Sequence, residues 1–173
     1  RRRLPGAGFV DRAVRAVDPD AMFNVNVFTF AAVGRSGPGM LRRETSQDRR
    51  FPFDLRALTG TSLEYLDVHF YPKDDEGYER DLKSIHFDDL RSAAQAAGKP
   101  LIVGEFGVFK HMYADQAPAI AWMKKLVGRF RQDGFAGWLY WTYDCEHQEM
   151  IWHARIDGDA MFDMLTAEAA RWQ

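Results

Sequence analysis

The chain has 173 residues, 46% hydrophobic and 14% aromatic, enough for one ordinary domain with a packed core. A formal net charge of −2 argues against a nucleic-acid partner or an anionic membrane surface, and the Arg1-Arg2-Arg3 start reads as a solvated chain end. Cys145 is the only cysteine, which excludes an intrachain disulfide, and the longest apolar stretches, 21–33 and 135–143, fall short of the roughly 20 residues that cross a bilayer.

In chain order, residues 8–17 carry the pattern of a leading helix. Residues 22–30 (MFNVNVFTF) form the first strand-like run. The polar, arginine-rich stretch 34–52 then reads as a long surface loop, and 53–58 as a weak helix. The second strand is expected at 65–71 (YLDVHFY), followed by a charge run at 73–79 that reads as a solvated loop. A helix over 87–97 precedes the third strand, 101–106 (LIVGEF). A helix over 118–132 follows, with Ile120, Met123, Leu126, Val127 and Phe130 on one face. Asp115 and Pro118 signal helix starts, whereas Gly98 and Gly134 sit where helices stop. A fourth strand at 137–143 (GWLYWTY) and a closing helix at 158–172 complete the series.

Strands that alternate with helices imply parallel βα units, and their strongly apolar character fits a sheet buried on both faces. After the first strand there is neither a G-x-G-x-x-G nor a Walker pattern, so nothing marks a phosphate loop. His86, His111, His147 and His153 do not fall at metal-ligand spacings; neither a metal site nor a cofactor is read from the sequence.

In parallel sheets of this kind the chemistry sits at the C-terminal ends of strands. The second strand ends in Asp67-Val68-His69-Phe70-Tyr71-Pro72; period two sets Asp67, His69 and Tyr71 on one face, with Val68 and Phe70 on the other. In the third, the same rule sets Leu101, Val103 and Glu105 on one face, a carboxylate capping an apolar column. Gly104 and Gly107 flank Glu105 and permit close backbone approach. The fourth ends in an aromatic group beside an acid, Trp138 to Asp144, and because Trp138 and Trp141 alternate in direction only one of them faces the site.

H-x-Y at the end of one strand, G-E-F-G at the next and a Trp at the last resemble glycoside hydrolase family 5, the cellulase-type retaining enzymes. The resemblance implies a (β/α)8 barrel in which 22–30, 65–71, 101–106 and 137–143 are strands five to eight. The whole chain, 1–173, would then be the C-terminal half of one barrel domain, in keeping with the about 250 residues a complete barrel takes. It implies Glu105 as the catalytic nucleophile, Tyr71 as the hydrogen-bond donor to that carboxylate, His69 lining the sugar site and Trp141 as the platform beneath the sugar. The implied substrate is an oligosaccharide or polysaccharide, a β-linked glucan or mannan, and the family points to a secreted or periplasmic location.

Physical chemistry runs parallel. Retaining hydrolysis needs an ionised carboxylate about 5–5.5 Å from a second carboxyl that serves as acid and then base. Hydrogen bonds from Tyr71 or His69 favour the ionised form. Trp offers the largest flat face to a pyranose ring.

One departure is plain. The family's acid/base glutamate follows an asparagine on strand four, yet the two asparagines here, Asn24 and Asn26, do not precede a glutamate. The chain is therefore expected to lack its N-terminal half barrel, to have little activity alone, and to associate with that half or with a second copy through its exposed edges. Asp67, Asp144, Glu146 and Glu149 are alternative acids that spacing does not rank. A bland reading accompanies each site residue: a structural ion pair for Glu105, a core histidine for His69, core packing for one tryptophan. The rival function is a catalytically silent half-barrel that binds glycans or serves assembly.

Overall fold

A computed structural model describes residues 7–24, 26–28, 62–143 and 147–172. The expected loop 34–52, the weak helix 53–58, the outer ends of the first strand and Asp144, Cys145 and Glu146 lie outside the described residues.

The described elements are α1 (Ala7–Arg15), β1 (Asn26–Phe28), β2 (Leu66–Phe70), α2 (Asp75–Ser84), α3 (Phe87–Ala96), β3 (Leu101–Phe106), α4 (Gln116–Gln132), β4 (Trp138–Tyr140) and α5 (Ala160–Ala169). The four strands make one parallel sheet in the order β1-β2-β3-β4, so each strand pairs with its neighbour in sequence. The chain is thus an α/β protein built on a parallel sheet, as the alternating pattern requires.

One side of the sheet is packed by helices. Phe70 meets the rings of Tyr78, Phe130 and Phe135, while Phe106 meets Phe130, Trp138 and Tyr140, mostly edge to face. Leu66, Val68, Val103, Leu90, Met123 and Leu126 fill the rest of this layer and are fully buried. The α4 residues Met123, Leu126, Val127 and Phe130 supply the buried stripe; Ile120, expected with them, is half-buried.

Residues 73–79 depart from expectation: from Asp75 onward the charge run is helix α2, not a loop. Asp74 caps it by accepting from the Gly77 N–H at 2.8 Å, and Asp75 and Glu76 sit in the first turn where the helix dipole favours acids. Tyr78 is fully buried and donates to Asp133 Oδ2 at 2.7 Å, tying α2 to the end of α4. Arg129 and Lys125 pair with Glu79 and Asp75 across the same seam. The charges are one face of an amphipathic helix whose other face is core.

At the other end of the chain, α1 is fixed by Asp11, which accepts from Ser62 Oγ at 2.6 Å and Arg15 Nε at 2.7 Å. Arg15 also reaches Glu64, the residue that leads into β2.

A second departure lies in β3. Leu66 and Val68 pair with Leu101 and Val103, but His69 then pairs with Glu105, so the register shifts by one residue between Val68 and His69. This is a β-bulge, two residues opposite one. Partners in a parallel ladder point to the same face. Leu101, Val103 and Phe106 therefore face the helices, and Glu105 turns to the opposite face with His69. The period-two expectation that Glu105 shares a face with Leu101 and Val103 is overturned by this single inserted residue.

Candidate active site

The bulge residue is Gly104, and a β-carbon there would lie 1.9 Å from Asp67 Oδ1 and 2.1 Å from Asp67 Cγ. Only glycine leaves room for the Asp67 carboxylate against the strand. Asp67 is buried, and Asn24 Nδ2 donates to its Oδ2 at 2.9 Å. Its Oδ1 faces His69 Nε2 at 3.4 Å. The other ring nitrogen of His69, Nδ1, lies 3.5 Å from Glu105 Oε2. His69 is buried, and its ring stands between two carboxylates, Asp67 on one side and Glu105 on the other.

Tyr71 follows the end of β2 and is buried, with its hydroxyl donating a short hydrogen bond to Glu105 Oε1. Burial, together with the hydrogen bond to Glu105, raises the phenol well above its ordinary value, so Tyr71 remains a donor at any working pH. Both oxygens of Glu105 thus have a neighbour: Tyr71 on Oε1 and His69 on Oε2. The Tyr71 ring packs on Phe109 at 5.2 Å between centroids, and Phe109 stacks on His111 at 5.4 Å. Glu105 itself is half-buried, open enough for a ligand to meet it.

Trp141 follows β4. Its N–H donates to the Phe106 carbonyl at 2.7 Å, and its own carbonyl occupies the space a β-carbon on Gly107 would need, 2.3 Å away. The same β-carbon would come within 3.1 Å of the Tyr71 ring, so Gly107 lets the ends of β2, β3 and β4 converge. The Trp141 side chain is 36% exposed. Trp138 turns the other way and packs edge to face on Phe106 and Trp172. Of the two tryptophans, Trp141 is the one at the open end.

The four residues singled out from sequence fall into two parts. Tyr71 and Glu105 are hydrogen-bonded with His69 beside them, while Trp141 stands at the adjoining strand end. Sequence reasoning missed Asn24 as the anchor of Asp67. It also missed Gln148, whose Oε1 accepts from the Trp141 indole N–H at 3.5 Å. A polar residue in the first strand was a faint signal for Asn24; Gln148 carried none. Among the alternative acids, Asp67 is buried and engaged by Asn24 and His69, Glu149 is exposed, and Asp144 and Glu146 are outside the described residues.

Among solved structures, the chain is similar to the endo-β-1,4-mannanase from Thermotoga petrophila, with a TM-score of 0.58 and 16% sequence identity. The match covers 96% of this chain and 39% of the mannanase. The likeness is one of fold: this chain shares the architecture of part of a glycoside hydrolase and spans well under half its length. No family model matches the sequence, and no curated protein matches it.

Proposed function

We propose that the chain supplies strands five to eight of a (β/α)8-barrel retaining glycoside hydrolase of the family 5 type, with Glu105 as the nucleophile. The observation that carries this reading is Glu105 at the end of a parallel strand, its Oε1 accepting from the Tyr71 hydroxyl and its Oε2 3.5 Å from His69 Nδ1. The Tyr71 hydroxyl donating to Oε1 favours the ionised carboxylate a nucleophile must be, and orients it.

In the first step Glu105 forms a bond to the anomeric carbon as the glycosidic bond breaks. The leaving oxygen takes a proton from a second carboxyl, about 5–5.5 Å from the first, supplied by residues beyond this sequence. Water, deprotonated by that same carboxyl, then breaks the glycosyl–Glu105 ester. Trp141 presents its face to the sugar at the cleavage point, and His69 lines the subsite. The mannanase likeness favours a β-linked mannan over a glucan.

The test is covalent labelling of the full-length protein with activated 2-deoxy-2-fluoro-mannosides and -glucosides, read by peptide mapping. A label on Glu105 supports the assignment, and a label elsewhere removes it. Glycan binding with neither label nor hydrolysis would favour a silent glycan-binding protein instead.

A further inference from the structure

The segment after β4 folds back over the end of β3. Ile151 bridges Phe109, the Lys110 N–H donates to the Met150 carbonyl at 2.8 Å, and the Trp152 N–H donates to Val108 O at 3.1 Å. Within this segment His153 is completely buried, an unusual cost for an imidazole outside the catalytic cluster. Its contacts account for the burial. Nε2 accepts the Gln148 backbone N–H at 3.0 Å, and Nδ1 faces Asp157 Oδ2 at 3.3 Å. Asp157 Oδ2 also accepts the His153 N–H at 2.9 Å, while Lys110 Nζ donates to Oδ1 at 2.7 Å. The His147 ring stacks on His153 with centroids 5.4 Å apart.

A nitrogen that accepts an N–H carries its lone pair, so the ring is the neutral tautomer with its proton on Nδ1, directed at Asp157. This closes a small turn, in which Ile151 N–H also donates to Gln148 O at 3.1 Å, and fixes the backbone of Gln148. The Gln148 side chain in turn accepts the Trp141 indole N–H. A continuous chain of contacts thus runs Lys110–Asp157–His153–Gln148–Trp141, from a half-buried ion pair to the exposed ring at the mouth of the site.

We infer that His153 and Gln148 are positioning residues that set the plane of the Trp141 ring for stacking on a pyranose. The inference rests on the reading of Trp141 as a sugar platform, but the contact itself can be tested with no sugar present. An exposed indole free to rotate loses rotamer entropy when a glycan stacks on it; one already held by its N–H has less to lose.

Two variants of the full-length protein are needed, Gln148→Leu and His153→Gln, with Trp141→Ala as the reference background. Without ligand, the Trp141 indole N–H resonance should shift in Gln148→Leu and again in His153→Gln. With mannotetraose and cellotetraose as probes, Gln148→Leu should weaken binding about three- to tenfold, the scale of one neutral hydrogen bond. It should produce no further loss in the Trp141→Ala background. An unmoved indole resonance, or a Gln148→Leu loss that persists without Trp141, overturns the inference. A shifted resonance with no binding of either probe would leave the contact intact and overturn its role in stacking, striking the functional reading and not the structural one. If His153→Gln fails to fold, Gln148→Leu and the double variant still decide the question.

Discussion

Gly104 and the carboxylate of Asp67 share the volume of one atom: a β-carbon at position 104 would sit 1.9 Å from Oδ1. That close approach falls at the bulge in β3, and the bulge is what turns Glu105 to the face that carries His69. Gly104→Ala must therefore displace Asp67 or straighten the strand. Overpacking of this kind costs about 1–3 kcal/mol. The expected outcome is a lower urea midpoint and a loss of any Glu105-dependent activity. Asp67→Ala removes the colliding carboxylate, so Gly104→Ala should be less destabilising in that background than in the wild type. Equal costs in both backgrounds would mean the contact does not govern the strand.

Tyr71 offers the cleanest separation of chemistry from binding. Its hydroxyl bonds Glu105 while its ring packs on Phe109, and Tyr71→Phe removes only the first. A hydrogen bond to a charged group contributes about 1.5–3 kcal/mol, or roughly 10–100-fold in rate if it matters most in the transition state. The expected result is a kcat lowered by that factor with KM changed little. A change confined to KM would make Tyr71 a lining residue of the cleft.

The strands were readable from the sequence because apolar β-rich runs bounded by glycine and proline leave little choice, and β2, β3 and β4 all fall within the runs read from it. The face of Glu105 was not readable. Period two fails at a bulge, and a glycine inside a strand is the local sign of one. The helix α2 was masked by its charges, although Asp74-Asp75-Glu76 is an ordinary helix start and Tyr78, Leu82 and Ile85 lie at helical spacing. The cluster of His69, Tyr71 and Glu105 was legible as strand-end residues. The link from Trp141 through Gln148 to His153 was not, because it depends on how a loop folds back, which no local pattern encodes.

Asp81 supplies a prediction about pH and stability. It lies on the buried face of α2, where burial pushes its carboxyl up to about 7, a rise that nearby Arg80 opposes. With the folded value above the unfolded one, the native state holds a proton that the unfolded chain releases. Asp81 therefore contributes its full stability below about 4, and that contribution is lost as pH rises through about 7. Asp81→Asn mimics the protonated form. Wild type and variant should unfold at similar urea concentrations at about pH 4, whereas by pH 8 the variant should be more stable by roughly 2–4 kcal/mol. Other carboxylates, among them Asp11 and Asp157, are held below their ordinary values and act in the opposite sense, so the difference between the two proteins is the quantity to follow. A difference independent of pH would remove the assignment.

The last prediction concerns the free side of β4. In the described sheet β4 pairs with β3 alone, and Leu139, pointing away from the helices between Trp138 and Tyr140, is 61% exposed. Tyr143 just beyond it is exposed as well. An unpaired strand edge beside an apolar side chain is a template for another chain. Produced as these 173 residues alone, the protein should self-associate at micromolar concentration. Leu139→Lys places a solvated charge on the inner face of that edge and removes a side chain whose burial contributes about 1.5–3 kcal/mol, so the dissociation constant should rise at least tenfold. Sedimentation velocity across a dilution series reads both effects. A wild-type chain that stays monomeric throughout would show that this edge does not drive association, and the same experiment on Leu139→Lys would then show no change.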